Sequence, residues 1–318
     1  MNENLYGMFD KVLQTEYSII EEGSKKTIKL GKSAKYGTME TYTLFDGVII
    51  AFMDITVDDA DSVFFEDKLP CRMLQINHCA KGRYSYAVGD DRIVYFGKGD
   101  LCVSIYDLTK TISDFPLGYY EGLEIFIDVD VANKHIKGLI PDFDLIELYE
   151  SLEKSKGYRL LRANEKIDHV IGEIYCVDDR IKEPYFKLKC LELLLFVSIA
   201  RETKTESLSL SKKQVDIIEN VKNDLINDLQ SKITIDELAD KYGISKTTLK
   251  NFFKEVYGKP IYKWRKEYKL DYACRLIGEG DLNISEISKQ VGYSSPSKFS
   301  QAFKKYVGCT PSEYKNNV

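Results

Sequence analysis

The sequence predicts an α+β protein, with a β-rich N-terminal half and an all-α C-terminal third, and three observations carry that prediction. Between about Thr38 and Asp128, short aromatic and β-branched runs alternate with turn dipeptides. From Asp142 onward, apolar residues recur at helical spacing. Over roughly the last hundred residues, one helix-turn-helix pattern occurs twice.

The β-rich half supplies its elements in order. Tyr42-Thr-Leu-Phe45 and Val48-Ile-Ile-Ala-Phe52 flank Asp46-Gly47, a hairpin signal. Arg72 to Asn77, Arg83 to Val88 and Ile93 to Phe96 continue the series, with Lys81-Gly82 and Gly89-Asp90-Asp91 as the expected turns. Gly97-Lys-Gly-Asp100 then leads into Leu101 to Tyr106. Short strands at even spacing predict a closed barrel or a double-sheet sandwich. The first thirty or so residues leave the choice open, Leu5 to Leu13 being compatible with a short helix.

Three helical segments follow, marked by Ile146, Leu148, Tyr149 and Leu152, by Ile167, Val170, Ile171, Ile174 and Tyr175, and by Tyr185 to Arg201. The third carries Phe186, Leu188, Leu191, Leu194, Leu195, Val197 and Ile199 and leaves little polar face. A helix apolar nearly all round is expected to be buried on more than one side, against its own barrel or against a second copy. Thr203 to Ser207 reads as a linker, being polar and without periodicity. The expected domains are therefore 1–140, a helical connector 141–207, and 208–318.

The repeat is specific. Glu237 and Gly243 match Glu286 and Gly292 at an offset of 49, and past one inserted residue Leu249, Phe253 and Gly258 match Phe299, Phe303 and Gly308 at an offset of 50. Val215, Ile218, Val221, Leu225 and Leu229 space out a helix before the first copy. Gly243 is placed to leave its helix through a left-handed conformation, and Ser245 to cap the next, 246–257. The inward face of that helix is predicted as Leu249, Phe252, Phe253 and Val256. In the second copy Ser285 to Val291 forms the first helix, Gly292 the turn, and Ser295 with Pro296 starts a helix over 296–306 with Phe299, Ala302 and Phe303 inward. Thr310-Pro-Ser-Glu313 starts a last short helix.

Facing outward are Lys246, Thr247, Lys250, Asn251 and Lys254, then Ser297, Lys298, Ser300, Gln301, Lys304 and Lys305. Lysine can reach guanine acceptors or phosphate, and a carboxamide can pair with both hydrogen-bonding positions of adenine. Between the copies, Pro260 to Ile277 reads as a linking helix of about 27 Å. Ile261, Trp264, Tyr268, Ala273, Leu276 and Ile277 are expected inside, with Lys263, Arg265, Lys266 and Lys269 outside. With the packing at each end, that length can set two recognition helices roughly one DNA turn apart, about 34 Å.

Composition limits the function classes. The chain has 318 residues, 44% hydrophobic and 30% charged, and a net charge of −5. The charge is unevenly placed: Lys212 to Val318 carries 19 basic and 14 acidic residues, leaving 26 basic and 36 acidic for the rest. An acidic module joined to a basic one fits a sensor joined to a nucleic-acid binder. The polar start carries no signal-peptide pattern, and the run Leu191 to Ala200 is too short for a membrane span. Seven scattered cysteines without a CxxC pair fit reduced thiols in a cytoplasm. His78, His135 and His169 lie far apart, so neither a metal site nor a catalytic constellation nor a cofactor is expected.

Ile235-Asp-Glu-Leu-Ala, Gly243-Ile-Ser, Phe253-Lys-Glu-Val-Tyr-Gly258, Ile284-Ser-Glu-Ile-Ser, the run Val291 to Gly308 and Thr310 to Tyr314 closely resemble the AraC/XylS transcription regulators. The resemblance covers about a third of the chain. It implies double-stranded DNA as a partner, with base contacts from Thr247, Lys250, Asn251, Ser297, Lys298 and Gln301 beside Lys246, and RNA polymerase as a second partner. Many members carry arginine at such positions, so the preferred bases stay open here. The Gly97 to Leu101 segment and the strands before it resemble the cupin-like sensing domain common in that family, which implies a small-molecule effector. Tyr84, Tyr86, Tyr95 and Tyr106, with Phe96, are candidates for its pocket, or else belong to the core. The competing reading is a cupin-type enzyme or small-molecule carrier tethered to DNA.

Overall fold

Strands form where the β-branched and aromatic runs place them. The computed structural model describes residues 17–31, 36–57, 63–64, 71–88, 91–106, 112–113, 115–200 and 209–317. The expected linker at Thr203 to Ser207, the segment Leu5 to Leu13, and Gly89 and Asp90 lie outside the described residues. The chain divides into two compact units, Met1–Ser209 and Leu210–Val318.

In the first unit an antiparallel sheet is built from β1 (Tyr17–Glu22), β2 (Lys25–Leu30), β3 (Gly37–Phe45), β4 (Val48–Thr56), β5 (Met73–Val88), β6 (Arg92–Gly97), β7 (Leu101–Ile105), β8 (Tyr119–Asp128) and β9 (Tyr158–Leu161). The order runs β1-β2-β3-β4-β8-β5-β6, with β7 on β5 and β9 on β7. The β3–β4 hairpin turns at Asp46-Gly47, where Gly47 has φ +77°. Lys81-Gly82 is not the expected turn. Arg72 to Asn77 and Arg83 to Val88 join in one strand, whose first part pairs with β8 and whose second part pairs with β6. Gly82 lies within the ladder at φ +82°, so close to β8 that a Cβ would stand 2.1 Å from the Tyr119 carbonyl oxygen.

Alternate residues of each strand feed two cores. Leu123, Ile125 and Ile127 of β8 face a core shared with helices α1 (Val129–Leu139), α2 (Leu145–Glu153), α3 (Glu165–Tyr175) and α4 (Lys182–Ile199). Tyr120 and Phe126 face a second core, fed by β2 through β9 and by the connecting segments and by no helix. A core made by strands alone requires the sheet to fold over on itself. Among the described residues no ladder joins β1 to β6, so the sheet is open and the closed barrel is not formed.

One expectation for the helical stretch is corrected. β9 interrupts it, pairing with a strand more than fifty residues earlier, a partner that no local period reveals. Within the unit α4 buries Phe186, Leu194 and Val197 and leaves Leu188, Leu195 and Ile199 exposed.

The second unit is helical: α5 (Lys212–Asn227), α6 (Ile235–Tyr242), α7 (Lys246–Tyr257), α8 (Ile261–Glu279), α9 (Ile284–Gln290), α10 (Pro296–Val307) and α11 (Pro311–Asn317). Leu229 is buried but lies past the end of α5, in the loop before α6. Among the described residues no helix is long and apolar enough to cross a membrane, and no group of three or more His, Cys, Asp or Glu could hold a metal ion.

Candidate nucleic-acid interface

The second helices of the two repeats, α7 and α10, are started, stopped and seated by the same devices. Thr234 caps α6 by accepting from the Glu237 amide at 3.2 Å, while Glu237 accepts from the Thr234 amide at 2.7 Å. Asn283 and Glu286 make the same reciprocal pair on α9, at 3.0 and 2.8 Å. The glutamates matched in the repeat therefore satisfy orphan amides at a helix start. An S/T/N-x-x-E signature marks that role in the sequence.

The turns also agree. Gly243 and Gly292 are left-handed, at φ +64° and +74°. The following amides, of Ile244 and Tyr293, reach back to the Ala239 and Ser288 carbonyls at 3.1 and 3.0 Å. The inserted residue falls after this point, in the approach to Ser295. Ser245 and Ser295 then cap α7 and α10, and Gly258 and Gly308 end them in left-handed conformation. Two helices of equal length result, aligned cap to cap.

Each seats its inner face in its own core. Leu249, Phe253, Val256 and Tyr257 of α7 are buried, and Phe253 and Tyr257 pack on Trp264 with ring centroids 5.5 and 5.2 Å away. Phe252, expected inside, is half-buried, and Tyr257, not expected there, is buried beside Trp264. Phe299 and Phe303 of α10 are fully buried with Ile287, Val291, Leu270, Ala273, Leu276 and Ile277. α8 thus serves the first core with its N-terminal part and the second with the remainder. Its charged face is not as expected: Arg265 is buried, because the loop after α5 folds over it, and Lys269 is half-buried. Tyr268 is only half-buried, and Leu270, which sequence reading passed over, is buried in its place.

With the inner faces fixed, the outer faces follow. Lys246, Thr247, Lys250, Asn251 and Lys254 are exposed on α7; Ser297, Lys298, Gln301, Lys304 and Lys305 are exposed on α10, with Ser300 half-buried. Alignment on the buried residues sets Thr247 against Ser297, Asn251 against Gln301 and Lys254 against Lys304. Each helix therefore shows a hydroxyl, a carboxamide and an ammonium in the same order. Lys246 is paired with Asp236 at 2.5 Å, and that carboxylate holds its ammonium above the usual lysine range. The corresponding residue of α10 is Pro296.

The structure places the tyrosines singled out in the first unit as follows. Tyr84, Tyr86 and Tyr106 share the strand-only core, whereas Tyr95 is buried outside that cluster, as alternation with Val94 and Phe96 requires. Sequence reading missed Glu124, which is buried beside that core. Gln75 and Asn77 donate to it at 2.7 and 2.8 Å, and Tyr120 donates at 3.2 Å. Burial pushes its carboxyl up to about 7 against the opposing pull of the Gln75 and Tyr120 hydrogen bonds. His78 is buried against the Tyr175 hydroxyl, and burial pushes it down to about 4.

A family model described as a helix-turn-helix domain matches residues 238–317. The chain is 32% identical over 105 residues to PqrA, a probable transcription factor of Proteus vulgaris, across 31% of this chain and 86% of that one. It is 35% identical over 79 residues to VirF, a virulence regulon transcriptional activator of Yersinia enterocolitica. That match covers 25% of this chain but only 29% of the relative's length. Among solved structures, the C-terminal domain of AraT, a response regulator from Geobacillus stearothermophilus, is 26% identical, with 32% and 85% of the two chains covered and a TM-score of 0.31. With two helix-turn-helix units of matched caps and a relative matched over most of its own length, the chain belongs to the AraC/XylS family of DNA-binding transcription regulators.

Proposed function

We propose that this protein is a small-molecule-responsive transcription activator that reads two adjacent major grooves with helices 246–257 and 296–306. One observation carries the reading: two helices with matched caps and cores, each turning a polar face outward. Lys246, Thr247, Lys250, Asn251, Ser297, Lys298 and Gln301 are the assigned DNA contacts. Residues 1–140 form the cupin-like sensing module, 141–207 the connector and 208–318 the DNA-binding domain. The strand-only core, with its aromatic rings and the Glu124 carboxyl, supports an effector seat near Tyr84, Tyr86 and Tyr106. The exposed Leu188, Leu195 and Ile199 of α4 support a homodimer. RNA polymerase is the partner through which an activator of this kind acts, in a cytoplasm.

The test is selection of duplex DNA from a random pool by the full chain, followed by footprinting with and without small molecules. The expected result is one enriched site protected over two successive major grooves. Binding should weaken steeply with salt as counterions are released. A protein that enriches no sequence overturns the reading.

A further inference from the structure

The two reading cores share α8, and a single helix can bend. A second, separate connection joins them. The loop 228–231, between α5 and α6, belongs to the first reading unit, and its shape is fixed by Asp228, whose carboxylate accepts from the Gln230 and Ser231 amides at 2.9 and 3.0 Å. The Arg265 guanidinium of α8 reaches into this loop and donates to the Asp228 and Ser231 carbonyl oxygens at 2.9 and 3.0 Å. On its other side the loop meets the second unit. Leu229 presents its carbonyl oxygen to Gly292 so closely that a Cβ there would lie 2.2 Å from the oxygen. Lys269, one turn along α8 from Arg265, brings its ammonium to within 2.9 Å of the same point.

Arg265 is 7% exposed and its Nε has no partner. Burying a guanidinium against neutral carbonyls is costly, and an apolar side chain of similar size would stabilise the fold at least as well. What an apolar residue could not do is hold two carbonyls of one loop at once, as a single terminal nitrogen of the Arg265 guanidinium does. Gly292 sets the other limit, since only a residue without a Cβ admits the loop at this distance. Gly243, its counterpart in the first unit, has nothing within 4 Å of its Cβ position. The two glycines share a backbone conformation, and only one of them also meets another part of the domain.

We propose that Arg265 is a positioning residue for DNA reading: with Gly292 it clamps the 228–231 loop between α8 and the second turn, fixing the separation of the two reading helices. The assignment rests on the two-groove reading above. It makes the domain selective for the spacing between the two halves of its site.

The experiment uses the full chain and a duplex enriched by it from a random pool, together with versions carrying one or two base pairs inserted between the protected grooves. Affinity is read by fluorescence anisotropy, and folding by circular dichroism. The wild type should lose at least about tenfold on one insertion, because one base pair rotates the second groove away from its helix. Arg265→Met should bind the original duplex less tightly and lose less than about threefold on insertion, its reading helices no longer being held apart by a fixed distance. Arg265→Lys, which keeps the charge on a shorter side chain that reaches the loop less far, should fall between them. Gly243→Ala should keep the wild-type spacing penalty. Uniform weakening on every spacing, or an unchanged profile, in both Arg265 variants overturns the clamp. A wild type that enriches no duplex overturns the two-groove reading instead, so the two failures are distinct.

Discussion

The first and second reading units are built alike and constrained differently. Their caps and turn glycines correspond one for one, and the buried positions 249 and 253 of the first match 299 and 303 of the second, so the scaffold was copied with little change. The differences lie where a unit meets something else. Gly292 is pressed against the Leu229 carbonyl while Gly243 faces open space, and Lys246 carries an ion pair where the second unit has Pro296. The comparison separates what a helix-turn-helix needs in order to fold from what two of them need in order to work together.

The sharpest test of likeness is the core. Phe253 and Phe303 are both fully buried at corresponding positions. Replacing either with alanine should cost about 3–5 kcal/mol by urea denaturation, and the two losses should be similar. A loss under half as large for one would show that its core collapses to fill the space, and the units would then differ in packing as well. The glycines test unlikeness. Gly243→Ala should cost only the strain of a left-handed alanine, about 1 kcal/mol, whereas Gly292→Ala adds a steric conflict with backbone and should cost about 2–4 kcal/mol. Equal costs would break the comparison.

Reading chemistry comes next in size. Asn251 and Gln301 occupy matched, exposed positions, so Asn251→Ala and Gln301→Ala should each relax discrimination at one base pair by about 1–3 kcal/mol. Selection from randomised half-sites would locate that base pair in each half. A uniform loss across all sequences would reassign both residues to the phosphate backbone.

These devices were legible because they are local. Gly243, Ser245, Ser295 and Pro296 announce turns and caps through their own conformational preferences, and the buried faces follow from a period of 3.6 residues. What was illegible depends on distant chain. Arg265 reads as one more charge on a basic helix, and only the loop 34 to 37 residues before it makes it a buried residue. β9 is four residues long in a helical stretch and exists because β7 offers it a ladder. Lys81-Gly82 has turn composition, yet its glycine serves close strand approach. For α4 the composition announced an apolar helix, but not that Leu188, Leu195 and Ile199 would be left facing out. Glu124 drew no notice because a carboxylate between apolar strand residues carries no motif; its partners Gln75 and Asn77 arrive from another strand.

The smallest expected effect bears on the reading faces themselves. Lys246 stands at the start of α7, where a lysine opposes the helix dipole, and Asp236 of α6 neutralises it. Both side chains are more than half exposed, so the pair adds little to stability. Its consequence is for DNA: the carboxylate both occupies the ammonium and brings a negative charge toward the phosphates. Asp236→Asn should therefore leave the denaturation midpoint almost unchanged and tighten binding to any duplex by about two- to threefold, mostly at low salt. The gain should be the same for enriched and scrambled sequences, because a freed lysine at this position meets phosphate. If instead the enriched sequence gains and the scrambled one does not, Lys246 reads a base, and the first unit then carries a contact that Pro296 denies to the second.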